Sequence, residues 1–281
     1  MVSENQFALI TGGSSGIGLA LARLLTQKGL NVWLIARRQQ PLNDALSELE
    51  KLRRDPNQCC GGVVAADVSD PAQAERAVAQ VVEAVGVPHL VVNSAGITQP
   101  GELMEQGADV FQRMMQVNYF GTVYITKAVL PGMVERHSGH IVNISSVAGY
   151  LGVYGYAAYS ASKFAVRGFS DVLRTEVKHL GIRVSLVFPP DTDTPQLAFE
   201  QPYKPPVLKA LEEGTKPMSA EAVAKAIWSG VQHNRYLILP GMQAKALFWL
   251  NGILGSAAYA VIDWQVADAI RKTEQRKNGK S

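Results

Sequence analysis

The sequence predicts an α/β protein: a Rossmann-type, doubly wound parallel sheet of about seven strands, with helices on both faces and an apolar helical extension at the C-terminus. Two observations carry this. Short apolar runs alternate with longer segments of helical spacing, and the first run feeds directly into a glycine-rich turn and a helix. Strands that read as unbroken apolar runs are buried on both faces, as in a parallel sheet covered by right-handed crossover helices. With 47% hydrophobic and 18% charged residues, the chain has the apolar material for such a core.

In chain order the predicted strands are "FALIT" (7–11), "VWLIA" (32–36), "GVVAA" (62–66), "LVVN" (90–93), "HIVNI" (140–144), "VSLVF" (184–188) and "YLIL" (236–239). Between and beyond them, helical spacing covers 17–28, 40–53, 71–85, 108–135, 157–180 and 219–233. This divides the chain into a sheet domain at 1–240, holding both cofactor and catalytic sites, and an extension at 241–281. Within the extension, residues 246–262, "ALFWLNGILGSAAYAVI", run for 17 positions without a charge. That is the lower limit for a bilayer span, and Asn251, Ser256 and two glycines weaken it further. Two readings stay open: a buried or dimer-packing helix, and a helix in contact with a membrane or a lipid channel.

The net charge is +3, but residues 271–281, "RKTEQRKNGKS", hold five Lys/Arg against one acid, leaving −1 for the rest. The basicity belongs to a tail that reads as a solvated terminus or as a contact for an anionic surface. No basic, aromatic-interleaved patch points to nucleic acid. The two cysteines, Cys59 and Cys60, are adjacent, so they neither close a loop nor provide metal-ligand spacing. No metal is expected, and a reducing cytoplasm is the simpler setting. The start "MVSENQFALITGG" enters the first strand almost at once, so neither a signal peptide nor an N-terminal anchor is expected.

Ligands of open α/β sheets bind beyond the carboxyl ends of the strands, so residues just after each run are the site candidates. After the first strand, "TGGSSGIG" offers Gly12, Ser14, Ser15, Gly16, Ile17 and Gly18. Glycines there allow a tight turn and close approach of a pyrophosphate, whose charge a helix N-terminus stabilises. The second strand ends in Arg37 and Arg38, with Arg37 lying 19 residues beyond Gly18. A guanidinium at that place pairs with a ribose 2′-phosphate, whereas an acid would accept from a 2′-OH, so NADPH/NADP+ is expected over NAD(H). Arg38 is the alternative holder. Asp67 and Val68 close the third strand, where a carboxylate suits an adenine amine. Asn93, Ala95 and Gly96 in "NSAG" close the fourth, with small side chains that leave room for the cofactor.

Tyr159 and Lys163 in "YSASK" stand four residues apart, on one helix face. A phenol with its ordinary pKa is a poor proton shuttle, and a neighbouring cation favours its ionised form. Lys163 is spaced to supply that cation. The fifth strand delivers Ser145 and Ser146 into the ligand crevice, where a hydroxyl can bond a carbonyl oxygen as it gains charge.

Together "TGGSSGIG", "NSAG", "ISS" and "YSASK" resemble the short-chain dehydrogenase/reductase family over roughly residues 5–240, in the expected order. The resemblance implies hydride transfer between nicotinamide C4 and a carbonyl or alcohol. It selects Ser146, 13 residues before Tyr159, as the catalytic serine, and it leaves Ser145 an ordinary strand-end residue. It gives Asn118 in "VNYFG" a role in a helix bend and a proton relay toward Lys163, and it places Tyr159 and Lys163 against the nicotinamide ribose. The family's "PG" after the sixth strand appears here as Pro189-Pro190, which puts "VFPPDTDTPQL" over the nicotinamide. Pro189 restricts the strand exit, and Thr192 and Thr194 are expected to meet carboxamide and phosphates by hydroxyl or main-chain bonds. Asp191 and Asp193 read as turn or cap residues, with a substrate amine as the other partner for one of them.

Within the family, "PPDTDTP", the glycine turn, the Arg37 site and "YSASKFAVRG" resemble the branch that reduces 3-dehydrosphinganine, a long-chain 2-amino-3-ketone, with NADPH. The substrate implied is a long-chain lipid ketone that arrives from a membrane, with peripheral contact through 246–262 and the basic tail. Alternatives are another hydrophobic carbonyl (3-oxoacyl, steroid or retinoid) and, in a different class, an NADP(H)-binding redox sensor without chemistry. The resemblance also implies a homodimer or homotetramer through helices 108–135 and 157–180.

Overall fold

The structure, a computed structural model, describes residues 6–53 and 61–278. Residues 1–5, the Cys59–Cys60 pair and the tail residues 279–281 lie outside the described residues. The first half of the chain alternates strand and helix: β1 (Phe7–Thr11), α1 (Gly16–Gln27), β2 (Asn31–Ala36), α2 (Gln39–Lys51), β3 (Gly61–Ala65), α3 (Pro71–Val85) and β4 (Leu90–Asn93). After β4 come α4 (Ala108–Met114), a π-helical turn (Met115–Phe120), α5 (Gly121–Glu135), β5 (Gly139–Ile144), α6 (Ala157–Val177) and β6 (Ile182–Val187). Every predicted strand core is present, with bounds shifted by one or two residues.

The main sheet has the order β3-β2-β1-β4-β5-β6-β9, where β9 is Leu237–Ile238, and every neighbouring pair is parallel. The order reverses between β1 and β4, and this topological switch opens a crevice at the carboxyl ends of the strands. One face packs α1, α2 and α9 (Ala220–Gln232) around Leu25, Leu42 and Ile227. The other packs α3, α5 and α6 around Val81, Ile125 and Leu173. Both faces are therefore covered, as the unbroken apolar strands require.

A chain of buried polar side chains crosses the second face. Asn93 on β4 donates to Thr126 Oγ1 on α5 (3.1 Å) and to Asn143 Oδ1 on β5 (2.9 Å), and Asn143 donates to Ser170 Oγ on α6 (2.9 Å). Buried amides must be bonded to be tolerated, so this chain fixes where α5 and α6 sit over the strands.

The stretch predicted as one helix at 108–135 is interrupted by the π turn, which holds Asn118 buried at 1% exposure. A π turn adds one residue to a helical turn and is frequent at functional sites. Four short elements follow β6: the paired strands β7 (Thr192–Asp193) and β8 (Met218–Ser219), and between them the helices α7 (Pro195–Glu200) and α8 (Pro206–Leu211).

The C-terminal apolar stretch is not one helix, which corrects the single-helix expectation for 246–262. It is split between α10 (Gly241–Leu254) and α11 (Ala257–Asn278) by Gly255, whose φ of +50° favours glycine. Phe248 of α10 packs edge-on against Tyr150 at 5.1 Å and lies 5.9 Å from Phe188, both residues of the body. Asn251 adds a bond to the Tyr150 carbonyl at 3.4 Å. Among the described residues no helix is long and apolar enough to cross a membrane.

Candidate active site

The strand ends open into one cleft of about 580 Å³. Gly12 and Gly16 take φ of +67° and +54°, and a Cβ on Gly12 would lie 2.9 Å from the Ala95 backbone, so the turn closes tightly over the β4 exit. Gly18 does not line the cleft. Its Cβ would sit 2.5 Å from the Gly12 carbonyl oxygen, so its role is to let α1 pack onto the turn. Ser15 starts α1 without a side-chain cap, and the first turn holds no acid. That leaves main-chain N–H groups of Gly16, Ile17 and Gly18 to meet an anion.

Ser14, Ser15, Ile17, Arg37, Arg38, Asp67 and Val68 line the same cleft, with both arginines exposed at its end. Asp67 holds its loop by accepting from Ser69 N and Oγ at 2.9 and 2.7 Å. Ser94, Ala95 and Gly96 line the floor, where Thr11 Oγ1 accepts from the Ser94 and Ala95 amides at 3.1 Å each. Asn93 does not reach the cleft. Its amide is bonded to Thr126 and Asn143 beneath the floor, and this corrects its assignment as a cofactor contact. An uncapped helix end, a backbone too close for side chains and two guanidinium groups at the rim fit a dinucleotide.

Ser146, Tyr159 and Lys163 converge on the cleft's centre. Lys163 Nζ donates to the Ile144 carbonyl at 2.9 Å and lies 5.6 Å from the centre of the Tyr159 ring. Ser146 caps the following turn, accepting from the Ala148 amide at 3.2 Å, while Ser145 is spent on the Lys163 carbonyl at 2.9 Å. Asn118 does not line the cleft. Its Oδ1 accepts from Ile97 N at 2.8 Å, and its Nδ2 donates to the Ile97 carbonyl at 3.0 Å and to Ser162 Oγ at 2.9 Å. It braces the loop after β4 against α6. A Cβ on Gly96 would fall 3.3 Å from Asn118 Oδ1 and 3.5 Å from Lys163 Nζ, so glycine there keeps those two groups close.

The electrostatics differ from the expected phenolate stabilised by Lys163. Burial pushes the Tyr159 phenol above its ordinary range and Glu200 and Asp191 push the same way, while Ser146 and Gln196 oppose them through hydrogen bonds. Desolvation outweighs the ammonium because Lys163 is itself buried and pulled down to about 8. Tyr159 is therefore a protonated acid at neutral pH.

Beyond β6, Pro189, Thr192 and Thr194 line the cleft. Both hydroxyls are engaged within the loop: Thr192 Oγ1 donates to the Pro190 carbonyl at 2.7 Å, and Thr194 caps α7. Asp191 lines the cleft and Asp193 does not. The outer end is walled by Leu208 and Leu211 of α8, which carried no expectation, and by Leu247 of α10 and Ile262 of α11, both within the apolar stretch 246–262. Residues 246–262 thus cover the outer end of the cleft through Leu247 and Ile262. Glu200 and Glu212 stand in the same wall. The signal for the α8 part of that wall lay in the proline-spaced apolar residues of 195–211, and for the rest in the uncharged run 246–262.

The family model described as short chain dehydrogenase matches residues 6–203. The chain belongs to that family. It is 40% identical to the 3-ketodihydrosphingosine reductase of Bos taurus over 78% of this chain and 66% of the relative, so the match spans just under two thirds of that protein. It is 35% identical to the 3-ketodihydrosphingosine reductase of Dictyostelium discoideum over 95% of this chain and 84% of the relative. A solved short-chain dehydrogenase from Sphingobium yanoikuyae, in complex with NADPH, superposes with a TM-score of 0.76 at 25% identity, covering 92% of this chain and 95% of that one.

The buried Lys163 has a measurable consequence for stability. Its pKa falls from 10.5 to about 8 on folding, so between those values the unfolded chain binds more protons and stability rises with pH. The cost of burying the ammonium is present in full below about pH 8. Thermal unfolding of Lys163→Met is expected to lack the rise that the unsubstituted protein shows from pH 8 to 10. Parallel profiles for the two proteins refute the assignment.

Proposed function

We propose that the protein reduces 3-dehydrosphinganine to sphinganine with NADPH. The observation that carries the reading is a single cleft that joins a dinucleotide turn, the Tyr159–Lys163 face of α6 and an outer wall of apolar side chains from α8, α10 and α11. A long-chain ketone needs all three. The names of the bovine and Dictyostelium relatives support the same substrate.

The cofactor is a nicotinamide dinucleotide, which supplies hydride when bound. Gly12, Ser14, Ser15, Gly16 and Ile17 hold its pyrophosphate, Asp67 and Val68 its adenine, and Ala95 and Gly96 leave room for its ribose. Pro189, Thr192 and Thr194 cover the nicotinamide end. Arg37 meets the 2′-phosphate and gives the preference for NADPH. Ser146 orients the ketone oxygen, and the Tyr159 hydroxyl, kept protonated by burial, gives that oxygen its proton. Lys163 returns a proton to Tyr159, and Asn118 holds the Ile97 loop and α6 at a fixed distance.

The exposed face of α10 and α11 is the route for the lipid. Trp249, Ile253 and Trp264 are 63%, 79% and 65% exposed, on the helices whose Leu247 and Ile262 line the cleft. An apolar rim continuous with the cavity lets a long chain pass from a bilayer without crossing water. In the described part of the tail, Lys272 and Arg276 pair with Asp268 and Glu213 at the surface, so apolar contact carries the attachment.

Tyr159→Phe is expected to lower turnover by about 10²–10⁴-fold, the usual contribution of a positioned acid, with NADPH affinity retained by fluorescence titration; near-normal turnover sinks the mechanism. Arg37→Ala should raise KM for NADPH by roughly 10–100-fold, from the loss of a charge-assisted pair of about 1.5–3 kcal/mol, and leave KM for NADH in place. An unchanged NADPH/NADH preference in Arg37→Ala, with a shift in Arg38→Ala instead, moves the contact to Arg38. In vesicle co-sedimentation, replacing Trp249, Ile253 and Trp264 together by serine should weaken binding at least tenfold, since each large apolar side chain buried is worth roughly 1.5–3 kcal/mol. Equal sedimentation of both proteins removes the membrane route.

A further inference from the structure

Beside Tyr159 the cleft wall holds ionisable side chains that neither the cofactor nor the proton transfer uses. Tyr156 donates from its hydroxyl to Glu200 Oε2 at 2.5 Å, and Lys204 Nζ lies 3.9 Å from the same oxygen. Lys204 is committed elsewhere: it donates to Glu212 Oε2 at 2.6 Å, with its own side chain 1% exposed. Both contacts of Glu200 therefore go to Oε2, and among the described residues Oε1 has no partner. The Glu200 side chain is 8% exposed, and it faces the cleft.

This is an unusual arrangement for a buried carboxylate. Burial of an ionised group is costly unless it is paired and its remaining acceptor sites are bonded. Here Glu200 and Glu212 share one lysine, Lys204, and a third carboxylate, Asp191, lines the same cleft, so this part of the wall holds more acids than its lysine pairs. Burial pushes Glu200 up to about 6, with Asp191 and Glu212 adding to the rise and Tyr156 and Lys204 opposing it. The missing component is a cation that enters through the cleft. The site lies next to the proton donor: the Tyr156 and Tyr159 rings are 5.8 Å apart, and the charge of Glu200 is felt at the Tyr159 phenol.

We propose that Glu200 Oε1 binds the primary ammonium group of the substrate, selecting ketones that carry an amine on the carbon next to the carbonyl. This rests on the reading of the protein as a ketone reductase whose carbonyl oxygen meets Tyr159 and Ser146. In a 2-amino-3-ketone one carbon–carbon bond separates the two groups, so an oxygen at Tyr159 places the nitrogen toward Glu200. The pairing does two things. It gives the buried carboxylate the charge partner its surroundings lack, and it keeps the amine protonated, which draws electron density from the adjacent carbonyl and makes it a better hydride acceptor. Tyr156 and Lys204 hold the carboxylate by Oε2 and leave Oε1 turned to the substrate. Of the other two acids in the wall, Glu212 is bonded to Lys204 and Asp191 is solvent-exposed, where an ion pair contributes little. The amine contact weighed for Asp191 or Asp193 thus passes to a residue further along the same segment.

The test compares NADPH-dependent reduction of 3-dehydrosphinganine with that of the chain-matched ketone lacking the amine, for the unsubstituted protein, Glu200→Gln and Glu200→Asp. The expected result is a fall of at least tenfold in the ratio of the two kcat/KM values in Glu200→Gln, mainly through KM, with partial recovery in Glu200→Asp. An unchanged ratio, or an equal loss on both substrates, overturns the proposal, because a purely structural role would not distinguish them. Should the unsubstituted protein reduce only the amine-free ketone, the reading of the reaction fails by itself. The ammonium site is then judged by whether sphinganine inhibits that reduction more strongly than its N-acetylated form, and whether Glu200→Gln removes the difference. If Glu200→Gln does not fold, the same pair of inhibitors decides on the unsubstituted protein. The advantage of the free amine must fall below about pH 6, where Glu200 takes up a proton, and an advantage constant across that range overturns the proposal.

Discussion

The site depends on a requirement that has nothing to do with catalysis: buried amides must be bonded. Asn93 and Asn143 stand on adjacent strands with their side chains in the apolar layer, and the Nδ2 of each donates to the helix above, to Thr126 on α5 and to Ser170 on α6. An unsatisfied polar group there costs about 1–3 kcal/mol, so α6 has one favourable height over the sheet. Tyr159 and Lys163 are carried on that helix. Asn118 continues the same logic one layer higher, fastening the Ile97 loop to Ser162, which in turn donates to the Tyr159 carbonyl at 2.7 Å. The reactive side chains are positioned by a ladder of amides and hydroxyls, none of which faces the cleft.

Desolvation sets the chemistry of those side chains. A reading by proximity alone pairs Tyr159 with Lys163 as phenol and cation, and expects an acidified phenol. The fold surrounds both groups with protein, and burial shifts each toward its neutral form: the phenol is pushed up and the ammonium down. For the proposed ketone reduction this polarity is useful, because the group that would give up a proton holds it at neutral pH. Glu200 is shaped by the same force, with its carboxyl raised for want of a full charge partner.

The outer half of the cleft has a different origin. The family core supplies strands, glycine turn and α6, whereas the apolar wall comes from α7, α8 and the two C-terminal helices. Those helices are held by Phe248 against Tyr150 and Phe188, by the Tyr150 hydroxyl on the Ala244 carbonyl and by the packing of α11 on α8, and they turn Trp249, Ile253 and Trp264 outward. One pair of helices thus has an inner face on the cavity and an outer apolar face on the surface. A segment that the sequence offered as either buried or exposed is both, because the glycine break at Gly255 lets it fold back on itself.

The sequence by itself determined the parallel sheet and the place of the ligand crevice beyond the carboxyl ends of its strands. These are local matters: an apolar run, a glycine turn and an i, i+4 pair keep their meaning wherever they sit. It failed at Asn93, read as a cofactor contact from its motif, because the direction of a strand-end side chain depends on which helix lies over it. It also missed Glu200 and Glu212, which are separated along the chain from Tyr159 and join its cleft only when α7 and α8 close the far end. Tertiary structure alone decided the pKa directions, since burial is a property of the assembled surroundings and no spacing of residues encodes it.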